Sequence, residues 1–301
     1  MNLHNDKENF IMSINLASKF FNMSPAIIEK DYYVTMFLQE LNRKIPEIIF
    51  KGGTSLSKCF KIIDRFSEDI DITLDANYQS QGNKRKLKET IIEICEELNL
   101  NLTNKEEIRS RRDYNCYKID YPSNNNVLGL NPKLLVETVF IVKSFPDEIK
   151  QASSMIYDYL LSIGNIDAIN QYELQPFDIR VQTLERTLID KIFALCDYMI
   201  DDKVERHSRH IYDIYCLLPY IKLDISFKEL IEDVRIDRKQ GKKSYSAQDN
   251  ISVTSILEEI INTKYYKKDY EEITEKLLSY NVSYEEAIKS IITIKDSKIF
   301  G

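Results

Sequence analysis

The stretch FKGGTSLSKCFKIIDRFSEDIDITL, residues 50–74, decides the fold of the first half of this chain. Its first residue, Phe50, ends the β-branched and aromatic run 48–50, which is typical of a buried strand. A pair of glycines follows shortly afterwards, at 52 and 53. Two glycines allow positive φ and let the backbone approach a ligand closely. The pattern therefore predicts a strand that ends in a tight turn at Gly52 and Gly53.

A short helix is predicted directly after this turn. Thr54 and Ser55 are favourable N-cap residues, and apolar side chains then recur at the i, i+3, i+4 and i+7 spacing of an amphipathic helix. The free N–H groups at such a helix start favour an anion. Lys58 lies one turn after Thr54 and would add a positive charge there. The segment predicts a phosphate-binding turn in which either Thr54 or Ser55 meets the phosphate.

Two acids lie on the strand that follows. Residues 69–74 alternate between polar and apolar, so the carboxylates of Asp69 and Asp71 share one face and the aliphatic side chains share the other. Like charges this close repel each other, and a divalent cation removes the conflict. Hard oxygen ligands together with phosphate suit Mg²⁺. The alternative is the solvated face of an edge strand, but the preceding glycine turn and helix favour metal-dependent nucleotidyl transfer.

A third carboxylate is expected, because two-metal phosphoryl transfer usually needs one beside the first two. Glu137 lies in the apolar run LLVETVF, where an acid is costly unless it is paired or bound to a metal. Asp120, in the alternating segment YKIDY, is the other candidate. An ion pair of Glu137 with Lys133 or Lys143 is the alternative structural interpretation.

The order Gly-Gly-Thr-Ser, helix, Asp-Ile-Asp resembles the DNA polymerase β-type nucleotidyltransferase superfamily. The closer resemblance is to its abortive-infection toxin branch, the AbiEii/AbiGii family, which includes mycobacterial toxins that modify tRNA. FKGGTSLSK and RFSEDIDIT carry the specific part of this resemblance. Three helical segments follow the family's order, so that the likeness extends over about two thirds of the chain: IEKDYYVTMFLQEL (28–41), LERTLIDKIFAL (184–195) and RHIYDIYCL (209–217).

The resemblance implies roles for three residues of the second half. Lys191 matches an essential lysine that is thought to bind the triphosphate, and Asp213 matches the last motif acid, near the catalytic cleft. Arg209 would support Asp213 or contact phosphate. The residue pattern alone favours different interpretations, namely a lysine that extends its ammonium group to water and an i,i+4 ion pair between Arg209 and Asp213.

The predicted reaction transfers a nucleotide from a nucleoside triphosphate (NTP) to an acceptor hydroxyl. Asp69 and Asp71 would hold Mg²⁺ or Mn²⁺ at the α-phosphate, and Glu137 would complete a second metal site. By resemblance the acceptor is RNA, with the 3′ end of tRNA expected, the outcome is growth arrest, and a cognate antitoxin is implied. Transfer to protein hydroxyls and a nucleotide-binding module without turnover are the alternatives. Three acids favour catalysis, because phosphate capture alone does not need them.

The charge balance limits the kind of nucleic-acid contact. A net charge of −7 argues against a broad nonspecific nucleic-acid binder, which would be basic. A tRNA substrate then requires local positive charge. Three segments offer it, and each could instead be a solvated helix face or loop: residues 84–88, 109–112 and 235–243.

We predict an α+β protein of two domains. Residues 1–145 would form a nucleotidyltransferase-type mixed sheet flanked by helices, and residues 146–301 a mainly helical domain with one extended piece at 177–182. Residues 222–301 show no motif. Five scattered cysteines, the lack of a secretion-signal pattern and the lack of an 18-residue apolar run predict a cytoplasmic protein without a membrane segment.

Overall fold

The computed structural model describes residues 2–65, 67, 69–123 and 133–301. Within these residues the chain forms seven strands: β1 (Ile48–Lys51), β2 (Asp69–Leu74), β3 (Asn101–Leu102), β4 (Tyr114–Asp120), β5 (Lys133–Val139), β6 (Asp147–Ala152) and β7 (Phe177–Gln182). They belong to one sheet in the order β3-β4-β5-β2-β1-β7-β6. β1 is antiparallel to β2 and parallel to β7, whereas β2 is parallel to β5, so the sheet is mixed. The predicted fold class is thereby confirmed.

Helices account for most of the remaining described residues. Six lie between the N-terminus and β7: α1 (Lys7–Phe21), α2 (Pro25–Lys44), α3 (Gly52–Ser55), α4 (Gln81–Glu97), α5 (Met155–Ser162) and α6 (Ile166–Gln171). Six follow β7: α7 (Leu184–Ile200), α8 (Arg209–Leu217), α9 (Ile225–Arg238), α10 (Val253–Thr263), α11 (Lys267–Asp269) and α12 (Tyr284–Ser297). The second half of the chain is therefore mainly helical, as predicted.

The start of α2 shows how local sequence sets a helix boundary. The Ser24 side chain accepts a hydrogen bond from the N–H of Ala26, and Pro25 occupies the first helical position. Proline is preorganised for that position, where its missing N–H costs nothing. Phe37 and Leu38 on this helix are fully buried in the core, so α2 provides one wall against which the site-bearing strands are held.

The edge strand β6 escaped the sequence analysis, which predicted helix there. Its sequence DEIKQA is mostly polar, and Ile149 is 67% exposed. An edge strand of this kind lacks the alternating burial that marks a strand in sequence. β7, by contrast, has the predicted bounds, 177–182.

The chain forms two compact units. The first consists of residues 1–60, 67–140 and 148–181, and the second of residues 61–66, 141–147 and 182–301. The predicted division at 145/146 stays a prediction. Among the described helices, none combines the length and apolar character that crossing a bilayer requires.

Candidate active site

Four side chains form a row across neighbouring strands of the first unit. Asp71 of β2 lies directly opposite Glu137 of β5 and, on its other side, opposite Lys51 of β1. Cys116 of β4 lies opposite Glu137. Residues paired in register point to the same face of a sheet. The row therefore places two carboxylates side by side, with a lysine next to one of them, and all four residues are half-buried.

Asp69 shares this face, because it lies two residues before Asp71 on β2. Its register partner in β5 is Leu135. The predicted strand with alternating acids has the bounds expected from the sequence, residues 69–74. Asp120, the other candidate for the third acid, is paired with Lys133, and Lys133 Nζ lies 3.7 Å from Asp120 Oδ1. The register thus brings Glu137 opposite Asp71, whereas Asp120, the last residue of β4, lies opposite Lys133, the first residue of β5.

Gly52 is required by its position against Asp71. Its φ is +78°, and a Cβ atom placed on it would lie 2.0 Å from Asp71 Oδ2 and 2.9 Å from Asp71 Cγ. Any larger residue would be strained in this conformation and would displace the carboxylate. The predicted positive-φ turn is confirmed at Gly52, which lets the Asp71 carboxylate lie directly against the backbone of the turn.

The helix begins earlier than the sequence predicts. Its N-cap is Lys51, and Gly52 is already helical, so the prediction of Thr54 and Ser55 as N-caps is wrong. The positive φ of Gly52 turns the chain at once from strand into helix, which leaves both hydroxyl residues inside the first turn and buried. Ser55 Oγ donates to the carbonyl of Gly52 at 2.8 Å, and Thr54 Oγ1 is 3.0 Å from Ser67 Oγ. The two hydroxyls stabilise the turn itself.

Lys58 lies in the π-helical turn Leu56–Phe60, which continues α3. It is buried, and its Nζ contacts Asp31 Oδ1 and Thr35 Oγ1, each at 2.5 Å. Asp31 also accepts from the N–H of Met155 at 2.7 Å. Lys58 therefore ties the glycine segment to α2, and its predicted role as a phosphate contact stays a prediction.

Tyr114 is the hydroxyl neighbour of Glu137. Its Oη donates to Glu137 Oε1 at 3.0 Å. Burial, and after it the charge of Glu137, raises the pKa of Tyr114, so the phenol keeps the proton that it donates. Burial followed by the charges of Glu137 and Asp69 raises the pKa of Cys116 to about 11. The thiol is therefore neutral near pH 7.

The second unit contains a buried ion cluster around Asp213 of α8. Arg65 Nε lies 2.6 Å from Asp213 Oδ1 and Arg65 Nη2 lies 2.8 Å from Asp213 Oδ2, a bidentate pair. Lys191 of α7 donates to Oδ2 at 2.6 Å. Asp213 is fully buried and Lys191 is 6% exposed. The interpretation of Lys191 as a lysine that reaches water is therefore wrong, since its ammonium group is held by a buried carboxylate.

Opposing effects set the pKa values in this cluster. Burial acts to raise the pKa of Asp213, but the charges of Arg65 and Lys191 outweigh it, so the pKa lies well below its ordinary value. Burial lowers the pKa of Lys191, and the charge of Asp213 opposes that shift. Two cations share one anion, which explains why the carboxylate is the better stabilised partner. Arg209, the first residue of α8, is half-buried, and its predicted role stays a prediction.

The donor set on β2 and β5 fits a hard divalent cation that shares its coordination with substrate. Within residues 2–65, 67, 69–123 and 133–301, no three His, Cys, Asp or Glu side chains form a ready-made metal cage. Mg²⁺ seldom uses such a cage, since it is commonly held by one or two carboxylates together with substrate phosphates and water. Asp71 and Glu137, paired in register, supply two such carboxylates.

Three residues near the site acids were not predicted from the sequence: Lys51, Tyr114 and Arg65. Lys51 lies directly before the glycine pair, but its place beside Asp71 depends on the antiparallel register of β1 and β2. Tyr114 and Glu137 are 23 residues apart, and Arg65 and Asp213 are 148 residues apart. No local pattern predicts contacts at these separations, although Arg65 does begin the quoted motif RFSEDIDIT.

Comparisons with known proteins identify the family. The family described as nucleotidyl transferase AbiEii toxin, type IV toxin–antitoxin system, matches residues 37–290. Among curated proteins, none matches the chain. A solved structure of MenT4, a nucleotidyltransferase toxin from Mycobacterium tuberculosis H37Rv, is similar over 95% of this chain and 89% of that chain, with a TM-score of 0.53 and 13% identity. That likeness shows the fold. Since the family match covers most of the sequence, the chain belongs to the AbiEii nucleotidyltransferase toxins of type IV toxin–antitoxin systems.

Proposed function

We propose that this nucleotidyltransferase is metal-dependent and transfers a nucleotide from an NTP to the 3′-terminal hydroxyl of tRNA. The observation that carries the proposal is the position of Asp71, opposite Glu137 on one side and Lys51 on the other, with Gly52 directly against its carboxylate. Carboxylates that share a face with a lysine beside a glycine turn suit a polyphosphate bound together with a divalent cation.

Asp71 and Glu137 are the proposed metal ligands, with Asp69 as a further carboxylate on the same face. A bound Mg²⁺ or Mn²⁺ would supply charge neutralisation to the triphosphate oxygens. Lys51 is suited to an unesterified phosphate oxygen, because it lies at the junction of β1 and the glycine turn. Gly52 and Gly53 carry no side chain that would keep a phosphate from their N–H groups, and the hydroxyls of Thr54 and Ser55 stabilise the turn.

The reaction conserves atoms and charge in a simple way. The acceptor oxygen forms a bond to the α-phosphorus, the bond from that phosphorus to the bridging oxygen breaks, and pyrophosphate leaves. The acceptor proton is released to solvent. Tyr114, whose hydroxyl contacts Glu137 at 3.0 Å, orients that carboxylate. On the basis of the family resemblance, Lys191 and Arg209 remain predicted nucleotide contacts and Asp213 a predicted site acid. Lys58 remains a predicted phosphate contact because of its position one turn after Thr54.

Membership in a toxin–antitoxin family supports the biological part of the proposal. A toxin that blocks the 3′ end of tRNA would stop translation and arrest growth, and a cognate antitoxin would oppose it. The proposed acceptor places the reaction in the cytoplasm. Protein hydroxyls are the alternative acceptor, and a nucleotide-binding module without turnover is the alternative activity.

The test is to incubate the purified full chain with each α-labelled NTP, Mg²⁺, total tRNA and total protein. The proposal expects label in tRNA, its loss in the presence of EDTA, and its recovery when Mg²⁺ is restored. A matched tRNA sample whose 3′-terminal diol has been oxidised with periodate should accept no label. Label in protein alone would overturn the acceptor, and NTP binding without transfer would overturn the reaction.

A further inference from the structure

The first unit brings two basic segments that are distant in sequence into one open groove of about 520 Å³. One wall is the first half of α4, which contributes Arg85 and Lys88. The other is the loop before β4, which contributes Arg111. The two segments belong to the basic stretches 84–88 and 109–112, which lie apart in the sequence. The groove therefore concentrates positive charge on a chain whose net charge is −7.

The cations of this groove are accessible and only lightly engaged. Arg85 and Arg111 are exposed. Arg85 Nε lies 2.7 Å from Glu89 Oε1, but these side chains are 74% and 58% exposed, and an ion pair of that kind contributes little. Lys88 is half-buried and donates to the carbonyl of Ile108 at 3.1 Å, which joins α4 to the loop. The lysine shapes the groove, and the arginines can turn toward a ligand.

The helix start adds a second anion-favouring element to the same groove. Gly82 lies in the first turn of the 17-residue helix α4 and lines the groove. A Cβ atom at Gly82 would meet nothing closer than 3.9 Å, so the space over this turn is open. Exposed N–H groups at a helix start favour phosphate, and guanidinium groups bind it in a fork geometry. These donors suit a run of phosphates better than isolated carboxylates.

Two hydrogen bonds link the groove to Glu137, one of the two carboxylates of the proposed metal site. Lys84, on α4, donates to Asp113 Oδ1 at 2.9 Å, and Asp113 is the last residue before β4. The next residue, Tyr114, donates to Glu137. The loop that lines the groove thus continues into β4, whose first residue contacts the proposed metal ligand Glu137. The groove therefore lies next to the end of β4 at which Tyr114 contacts Glu137.

The third basic stretch, 235–243, is used differently. Arg238 Nη1 lies 3.0 Å from Asp190 Oδ1, and Arg238 Nη2 lies 2.9 Å from Asp197 Oδ2. Arg235 donates to the carbonyl of Phe300 at 2.8 Å. These arginines hold the second unit together. Of the three candidate segments, the two in the first unit therefore have their arginines best placed for a ligand.

We propose that the groove between α4 and the loop before β4 binds the phosphate backbone of the RNA acceptor. This inference rests on the proposed function for the class of acceptor, and it adds the surface that holds it. The contacts are to phosphates, so the groove contributes affinity and orientation, and base identity would have to be recognised elsewhere.

Direct binding tests this surface without requiring turnover. Equilibrium binding of the full chain to labelled tRNA is measured over a salt series, for the wild type, for Arg85→Ala/Arg111→Ala, and for the control Lys7→Ala/Lys19→Ala on α1. Loss of two phosphate contacts should weaken binding about tenfold at low salt and reduce the salt slope by about 1.4 to 1.8. The control pair, which removes the same charge from another surface, should change both much less.

Several results separate this inference from the proposed function. RNA binding that depends on the two arginines, without any transfer, would support the groove and overturn the reaction. Transfer to tRNA with an unchanged KM and salt slope in Arg85→Ala/Arg111→Ala would overturn the groove alone. Equal binding of polyglutamate, lost in the same variant, would assign the surface to acidic proteins and would also overturn it. Far-UV circular dichroism of both double variants checks that the fold is intact.

Discussion

Asp71 and Asp213 are both predicted site acids, yet their surroundings differ. Asp71 is half-buried and lies in register between another carboxylate, Glu137, and one lysine, Lys51. Asp213 is fully buried, and its two oxygens accept three hydrogen bonds from Arg65 and Lys191. The difference teaches that an acid beside an acid is suited to a metal ion, whereas an acid enclosed by cations has its charge balanced within the protein and stabilises the fold around it. The role of Asp213 as a site acid stays a prediction.

The largest expected effect comes from Asp71→Asn. The amide keeps the size of the side chain but removes one of two adjacent negative charges. The metal ion therefore loses a carboxylate ligand, and the triphosphate is bound less well as a result. Nucleotide transfer should fall by at least about 10³-fold, while the free energy of unfolding changes by less than about 1 kcal/mol. Single-turnover labelling of tRNA and urea unfolding measure the two quantities. Full activity in this variant would remove the basis for the proposed metal site.

Asp213→Ala should mainly lower the free energy of unfolding, in contrast to Asp71→Asn. It leaves Arg65 and Lys191 buried without their counter-charge, which should cost about 3–5 kcal/mol of unfolding free energy. Asp249→Ala is the matched control, because Asp249 also pairs with a lysine, Lys239, but is 87% exposed. That control should cost less than about 1 kcal/mol. Equal losses in urea unfolding would contradict the structural role of Asp213.

Gly52→Ala should lower both the free energy of unfolding and the rate of nucleotide transfer. The new methyl group would meet Asp71 Oδ2 at 2.0 Å, and the residue would have to keep a φ of +78°. We expect a loss of about 1–3 kcal/mol in stability together with reduced transfer, because the carboxylate must move. Gly82→Ala, at a helical position with open space, should be neutral or slightly stabilising. A stable and fully active Gly52→Ala variant would disprove the close approach.

Low pH should lower the free energy of unfolding because Asp213 becomes protonated in the unfolded chain. Its pKa in the folded protein lies below the ordinary value of 3.8, so the unfolded chain binds more protons near that pH. The stabilisation from Asp213 is therefore fully present above about pH 5 and decreases as the pH falls below the unfolded pKa. Urea unfolding at pH 6 and pH 3 should show a larger decrease in the wild type than in Asp213→Asn, which lacks the titrating group. Parallel decreases would exclude Asp213 as the cause.

The smallest effect on activity is expected from a change at Tyr114, the hydrogen-bond donor to Glu137. Tyr114→Phe removes the hydrogen bond to Glu137 Oε1 and leaves the ring in place. Loss of one such bond is worth about 1 kcal/mol, or about a three- to tenfold decrease in kcat/KM. Tyr78→Phe, which changes an exposed tyrosine on the same unit, should leave kcat/KM unchanged. An unaltered Tyr114→Phe enzyme would show that Glu137 does not depend on this contact for its orientation.

Local chemistry made the core of the fold predictable from sequence. Residues 69–74 alternate in polarity, so β2 appears where the sequence predicts it, and α2 contains the helical segment 28–41 that the resemblance implies. The fold class and the family follow from the same short motifs. The polar edge strand β6 was missed because its side chains show no pattern of burial.

The sequence alone determined which residue types are available: a glycine turn, two acids two positions apart, a third acid in an apolar strand, and basic stretches. Only the tertiary structure decided which of them meet. The register of β2 and β5 put Glu137 rather than Asp120 opposite Asp71, and packing of the second unit enclosed Asp213 between cations. The physical reason is that contacts over many residues depend on strand pairing and burial, which a local pattern does not encode.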